Sequence, residues 1–201
     1  MGLVPQAAPV PTAERREVIN DFAINTPWLH SPMRLFAMYG IVLFAGAIVV
    51  GWWMARSRDA VTMASVLLTP VGAVAAFLAQ QVVVGLVHEA RPYAIHPTAL
   101  VLVAKTTDPS FPSDHACIAG AVAAGLFLVD RRLGLVTAAL ALIMAIARVY
   151  AGAHWPLDVV AGLALGAAVS VLVVLLLRRP VSRVVDWARA NRMRPLVASA
   201  T

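Results

Sequence analysis

One cysteine, Cys117, and one lysine, Lys105, are all that a chain of 201 residues holds of either kind. A lone cysteine excludes an internal disulfide and a cysteine-built metal cluster. Its neighbours Ile118, Ala119, Ala121 and Val122 are apolar, so Cys117 reads as a small buried side chain within a helix. Charge is scarce too: 13% of residues are charged against 61% hydrophobic, and mean hydropathy is +0.82. A soluble domain of this length needs more polar residues to cover its surface. The chain also lacks a positive N-terminal segment followed by an early apolar core, which argues against a cleaved signal peptide. No internal repeat and no low-complexity tract stands out beyond the apolar blocks. The net charge of +6 comes almost wholly from arginine. In a membrane protein such charge belongs to cytoplasmic loops, so a nucleic-acid partner is not implied.

The apolar residues fall in blocks of the length a bilayer requires, about 20 residues each. The expected fold is all-α: one polytopic membrane bundle of five transmembrane helices with an N-terminal interfacial helix, forming a single domain over 1–201. Residues 1–11, rich in Pro and Ala, read as disordered. Residues 12–32 place Val18, Ile19, Phe22 and Leu29 near helical spacing beside Trp28. They form either a helix on the membrane surface or a solvated connector. The spans are expected at about Leu35–Ala55, Ala60–Val87, Ser113–Val129, Leu133–Tyr150 and Leu157–Leu177. Trp52 and Trp53 mark an interfacial belt, and Pro70 with Gly72 suggests tilt or a kink in the second span. A basic tail, 180–201, follows the last span. The 56–59 loop, the 130–132 loop and the residues after Leu177 carry ten arginines, against six basic residues on the other side. The positive-inside rule puts the tail in the cytoplasm and the 88–112 loop and 151–155 turn outside.

Three polar clusters share that outer face: His88-Glu89-Ala90-Arg91-Pro92, Pro112-Ser113-Asp114-His115, and Arg148 with His154 and Asp158. Ionisable groups at span ends are costly unless paired or used. Pro156 at the first position of a helix puts Asp158 in its first turn, one turn on from His154. The carboxylate can then accept from one ring nitrogen and leave the other nucleophilic. Ser113 suits an N-cap, and a helix N-terminus there offers free amides to an anion. Arg91 and Arg148 bring planar forks that match phosphate oxygens. His115 can donate a proton to a leaving oxygen and later activate water. Such a set suits phosphoryl transfer without a metal or other cofactor. His30 and His96 read as surface or interface residues, and Glu89 as a loop charge or a partner for Arg91. Trp155, Tyr93 and Tyr150 read as anchors or site walls. Gly162 and Gly166, four apart, read as a close-packing face.

Arg-Pro, then Pro-Ser-x-His, then Arg-x5-His-x3-Asp resembles the type 2 phosphatidic acid phosphatase superfamily, over roughly residues 84–162. The resemblance implies a phosphohistidine at His154, oriented by Asp158. It implies that His115 protonates the leaving group, and that Arg91, Ser113, Arg148 and the backbone at Asp114 bind phosphate. Two positions depart from it. Val84 stands where the family has a lysine, and Lys105 is the candidate stand-in, with His88 second. Ala147 stands where a serine usually precedes the arginine. The run Ser-Phe-Pro-Ser-Asp-His-Ala, residues 110–116, has aspartate where many relatives have glycine. In this it resembles the bacitracin-resistance type of undecaprenyl pyrophosphate phosphatase.

The expected activity is therefore hydrolysis of a polyprenyl pyrophosphate at the outer face, recycling the lipid carrier of cell-wall synthesis. Phosphatidate, phosphatidylglycerophosphate or another prenyl phosphate is the alternative substrate. A lipid-binding or translocating protein with a dead site is the alternative of another class. The expected partners are the lipid phosphate substrate and membrane lipids; the sequence carries no sign of oligomeric state.

Overall fold

The computed structural model describes residues 21–96 and 98–199. The expected disorder of residues 1–11 and the part of the interfacial helix before residue 21 lie outside the described residues. A 3₁₀ turn at Pro27–Leu29 leads into α1 (His30–Tyr39) and α2 (Ile41–Ala55). Then come α3 (Ala60–Leu86), the short α4 (Pro92–Ile95), α5 (Asp114–Phe127), α6 (Arg131–Tyr150), α7 (Pro156–Arg189) and the short α8 (Arg194–Val197). No strand occurs among the described residues.

The helix starts follow from local chemistry. Asp59 caps α3, its carboxylate accepting from the Thr62 amide at 2.9 Å. Asp130 caps α6 in the same way, taking the amides of Arg132 and Leu133. Each such cap stabilises a helix end by about 1 kcal/mol. Pro156 opens α7 at a position where its missing N–H is not needed.

Three helices, α3, α6 and α7, are long and apolar enough to cross a bilayer. Their outer faces stay apolar: Val74, Leu78 and Val82 on α3, Leu142 and Ile146 on α6, and Leu172 and Leu176 on α7 are all exposed. Such a surface suits lipid rather than water. The protein is an integral membrane protein.

Two expected spans take a different form. The first is broken at Gly40, where α1 and α2 meet at 57°; together they count as a fourth crossing at most. A Cβ at Gly40 would lie 2.5 Å from the Phe36 carbonyl and 2.9 Å from Met144 Cε, so the bend forms where α1 turns onto α6. The expected third span is α5, with only 14 residues. At about 1.5 Å per residue it reaches about 21 Å, short of a hydrocarbon core of about 30 Å. The last helix differs in the other direction. It continues past Leu177 and through Pro180 to Arg189, because Val181, Val185 and Ala188 keep packing inward while Arg179 and Arg183 face out.

The core is centred on α5. Cys117, Ala119, Ala121, Val122 and Leu126 are buried there among Met63 and Val66 of α3 and Met144 of α6. Cys117 is fully buried, as its apolar neighbours implied. The packing of α7 on α5 depends on Gly162 and Gly166. A Cβ at Gly166 would fall 1.9 Å from the Cys117 carbonyl, and one at Gly162 would fall 2.5 Å from the Ser113 carbonyl. These two glycines bring the start of α7 against the start of α5, where the polar clusters meet.

Candidate active site

The three polar clusters converge at one end of the bundle. His154 lies in the turn between α6 and α7, 2% exposed. Its Nδ1 is 2.8 Å from the main-chain carbonyl oxygen of Ser110 and 3.4 Å from Asp158 Oδ2. Both partners can only accept here, so Nδ1 carries the proton. Nε2 then holds a lone pair. It faces Arg148 Nη2 at 3.1 Å and Arg91 Nη1 at 3.5 Å, both donors. The imidazole is neutral, with its free nitrogen aimed between two guanidinium groups. Burial is the main cause that holds the His154 pKa below the ordinary histidine value. Arg148 and Arg91 add to the effect, while Asp158 opposes it.

The closest partner of Nδ1 is thus the Ser110 carbonyl, whereas the sequence pointed to the Asp158 carboxylate alone. Asp158 is fully buried at the third position of α7. Its Oδ2 accepts from the Ser110 hydroxyl and from the Trp155 amide at 2.8 Å. Ser110 therefore touches both members of the pair, with its carbonyl on the ring and its hydroxyl on the carboxylate. Ser110 was not among the site residues expected, although it opens the Ser-Phe-Pro-Ser-Asp-His-Ala run. The cis bond between Phe111 and Pro112 lies in the same run.

The arginines are fixed by backbone carbonyls. Arg91 Nε donates to the Asp108 carbonyl at 2.9 Å and its Nη1 to the Ala153 carbonyl at 3.2 Å. Arg148, 8% exposed, donates from Nη1 to the Ala37 carbonyl at 3.3 Å. Its Nε is buried with no partner. Ser113 occupies the N-cap position of α5, but its hydroxyl makes no cap bond and is buried without a partner. Its amide donates to the Asp158 carbonyl at 3.0 Å. Asp114 Oδ1 accepts from His115 Nδ1 at 2.9 Å and from the His115 amide at 2.7 Å. The same oxygen lies 3.9 Å from His154 Nε2 and 4.0 Å from Arg148 Nη2.

A cavity of about 160 Å³ opens onto His154, bounded by Arg91, Asp108, Asp114, Gln80, Gln81 and Val84 among others. Val84 does face the site, so the position that lacks the family lysine is a true wall of the cleft. Lys105 is not in that lining. Its Nζ sits 5.8 Å from the centre of the Tyr93 ring. Gln80 is 3% exposed, donates to the Pro112 carbonyl at 2.9 Å and leaves its Oε1 unpartnered. The signal for Gln80 and Gln81 was available in the sequence as two amides inside an otherwise apolar span. Trp155 anchors the turn through Nε1 to the Ala90 carbonyl at 2.9 Å.

A free imidazole nitrogen between two clamped guanidiniums, with an uncommitted hydroxyl at Ser113, is a set of groups that can bind and accept a phosphoryl group. Comparison with known families agrees with that chemistry. The model of the PAP2 superfamily matches residues 70–181, the stretch that holds every residue of this site.

The chain belongs to the PAP2 superfamily.

Curated relatives support the placement over most of the length. This PAP2 chain is 26% identical to the undecaprenyl-diphosphatase BcrC of Bacillus subtilis, over 78% of its own length and 79% of that protein. It is 32% identical to the decaprenylphosphoryl-5-phosphoribose phosphatase of Mycobacterium tuberculosis, over 80% and 90% of the two chains. Among solved structures, it resembles the transmembrane PAP2-type phosphatidylglycerolphosphate phosphatase of Bacillus subtilis. The TM-score is 0.61 at 22% identity, over 83% of this PAP2 chain and 86% of the other. That likeness concerns the fold.

Proposed function

We propose that this PAP2 protein hydrolyses a polyprenyl diphosphate, of the undecaprenyl type, to the monophosphate through a phosphohistidine on His154. The observation that carries the reading is the His154 ring itself. It is neutral, protonated at Nδ1, and directs Nε2 between Arg148 and Arg91. Nε2 attacks the terminal phosphorus, and the bond to the bridging oxygen breaks. The electron pair stays on that oxygen, which takes a proton from His115 as the prenyl monophosphate leaves. Water then gives a proton to His115 and attacks the phosphohistidine. The phosphorus–nitrogen bond breaks, inorganic phosphate departs and His154 is neutral again. Arg91, Arg148, the Ser113 hydroxyl and the Asp114 amide hold the equatorial oxygens. Asp158 and Ser110 fix the ring.

Metal independence follows in this reading from the two guanidiniums, which supply the charge a divalent cation would bring. Diphosphate as substrate is supported by Asp114 in the second motif and by the likeness to BcrC. The likeness to the mycobacterial phosphatase favours a second substrate, a prenyl-linked phosphomonoester. The architecture in this reading is a single domain with five crossings, counting the bent α1–α2 pair and α5, a short helix surrounded by the bundle whose flanking residues Pro112, Ser113 and Val129 are buried in protein. The cleft faces outward, and the basic C-terminal end lies in the cytoplasm.

The deciding experiment is phosphate release by purified protein in EDTA. The substrates are undecaprenyl diphosphate, a prenyl phosphomonoester, phosphatidate and phosphatidylglycerophosphate. Activity is expected to survive EDTA, to favour the diphosphate, and to fall by on the order of 10³-fold in His154→Ala. Full activity in that variant would remove the nucleophile assignment. A reporter fused to the C-terminus tests orientation, and an external signal would reverse it.

A further inference from the structure

Both histidines of the site have a carboxylate at Nδ1. For His154 it is Asp158, at 3.4 Å. For His115 it is Asp114, at 2.9 Å. The second pair is the closer one, and it is built from neighbours in the chain. An acidic residue in the first turn of a helix commonly faces solvent and serves the helix dipole alone. The Asp114 side chain instead folds back over α5. Its Oδ1 holds the His115 amide and ring together, and it points into the cleft toward His154 and Arg148.

We propose that the Asp114 side chain is a positioning residue that orients His115 as proton donor and serves as counter-ion to the Arg148–His154 cluster until a phosphoryl group displaces it. The proposal rests on the hydrolase reading above and adds a side-chain role where the family resemblance involves only the backbone.

The orienting role follows from the tautomer. A carboxylate only accepts, so His115 Nδ1 must carry hydrogen, and Nε2 is the ring nitrogen left for the leaving oxygen. Without Asp114 the ring is free to rotate and to exchange tautomers. The counter-ion role follows from charge. Two guanidinium groups converge on His154 Nε2, and of the two acidic residues that line the cleft, Asp108 and Asp114, it is Asp114 whose carboxylate lies within 4.0 Å of Arg148 and 3.9 Å of His154. An arriving phosphoryl group competes for the same cations and repels the carboxylate. Asp114 then withdraws onto His115 alone, where its hydrogen bond remains. One side chain thus opposes anion binding and favours the proton transfer that follows.

The two roles separate by substitution. Asp114→Gly removes charge and acceptor together, whereas Asp114→Asn removes the charge but keeps an oxygen for His115 Nδ1–H. Orthovanadate and inorganic phosphate are the anion probes. A short-chain prenyl diphosphate tests a leaving oxygen that needs the proton, and 4-nitrophenyl phosphate tests one that leaves with little help. In Asp114→Gly, vanadate inhibition is expected to tighten about tenfold while kcat on the prenyl substrate falls about a hundredfold, with at least a tenfold smaller loss on the nitrophenyl ester. Asp114→Asn is expected to tighten vanadate inhibition similarly and to recover most of that kcat. In a His115→Ala background, Asp114→Gly is expected to cost little more.

Thermal unfolding of each variant in detergent separates these effects from loss of fold. Equal losses of kcat and of vanadate affinity on both substrates, with unchanged unfolding temperature, would overturn the proposal. So would an undiminished further loss in the His115→Ala background. Absence of phosphate release by the wild-type protein from every substrate tried would instead strike the hydrolase reading. Calorimetric binding of inorganic phosphate to Asp114→Asn still reports on the counter-ion role in that event, and unchanged affinity there would reject it.

Discussion

His154 Nδ1 lies 2.8 Å from the carbonyl oxygen of Ser110, closer than the 3.4 Å to Asp158 Oδ2. Orientation of the ring is thus divided between a main-chain acceptor, which no substitution at residue 110 removes, and a carboxylate that Ser110 Oγ helps to hold. Asp158→Ala removes one acceptor and leaves the Ser110 hydroxyl and the Trp155 amide without their shared partner. Ser110→Ala removes only a hydroxyl. The expected order is a loss in kcat of about tenfold for Ser110→Ala and about a hundredfold or more for Asp158→Ala, with KM little changed. Steady-state kinetics on one lipid substrate checks the order, and a larger effect at Ser110 would reverse the assignment.

The acid limb of activity follows from burial. Burial and the two arginines disfavour the imidazolium form of His154, so its pKa lies below the ordinary 6.5. Protonation takes up the Nε2 lone pair, which is the nucleophile in the proposed mechanism. The limb of the kcat/KM profile due to His154 is therefore expected below pH 6.5, and the enzyme should stay active in mildly acidic medium. The sign for stability matches. The unfolded chain binds the proton more tightly, so the contribution of the neutral ring is complete above the unfolded pKa and is lost as pH falls through the folded one. A limb centred above pH 7 would contradict both.

The lysine missing at Val84 can be restored. Val84 lines the cleft, whereas Lys105 lies on Tyr93 outside it. Val84→Lys is expected to tighten inhibition by inorganic phosphate by about tenfold, about 1.4 kcal/mol. Lys105→Ala is expected to change KM and kcat by less than about twofold, as for an exposed cation. A large loss in Lys105→Ala would make it the stand-in after all.

Helix contact at Gly166 sets a steric limit. A Cβ there would fall 1.9 Å from the Cys117 carbonyl, which cannot move without shifting α5. Gly166→Ala is expected to destabilise the bundle by about 3 kcal/mol or more. Gly46 has nothing within 4 Å of the same atom, so Gly46→Ala is expected to be near neutral. Thermal unfolding in detergent compares the two.

Much of this molecule is legible in its sequence, for reasons that differ by element. The starts of α3, α6 and α7 were visible because Asp59, Asp130 and Pro156 punctuate long apolar runs. The break at Gly40 was not, since apolar residues continue on both sides and only packing against Met144 and Phe36 decides the bend. The extension of α7 to Arg189 was hidden because hydropathy falls at the arginines while the inward face of Val181 and Val185 carries on. In the site, side chains could be read from spacing. The Ser110 carbonyl could not, because a main-chain acceptor leaves no trace in residue type. Nor could the sequence say which way Lys105 turns within its loop, toward Tyr93.

Arg148 is clamped on its far side by the Ala37 carbonyl of α1. That bond ties α1 to a guanidinium that faces Nε2 of His154. In the proposed mechanism the N-terminal helices are therefore part of the anion-binding apparatus as well as its scaffold. A detergent, a lipid of the wrong thickness or a fusion partner that displaces α1 will reach the chemistry as a weakened grip on phosphate before it is seen as unfolding. Inhibitor affinity is thus a gauge of how well the amino-terminal region is seated in the bilayer.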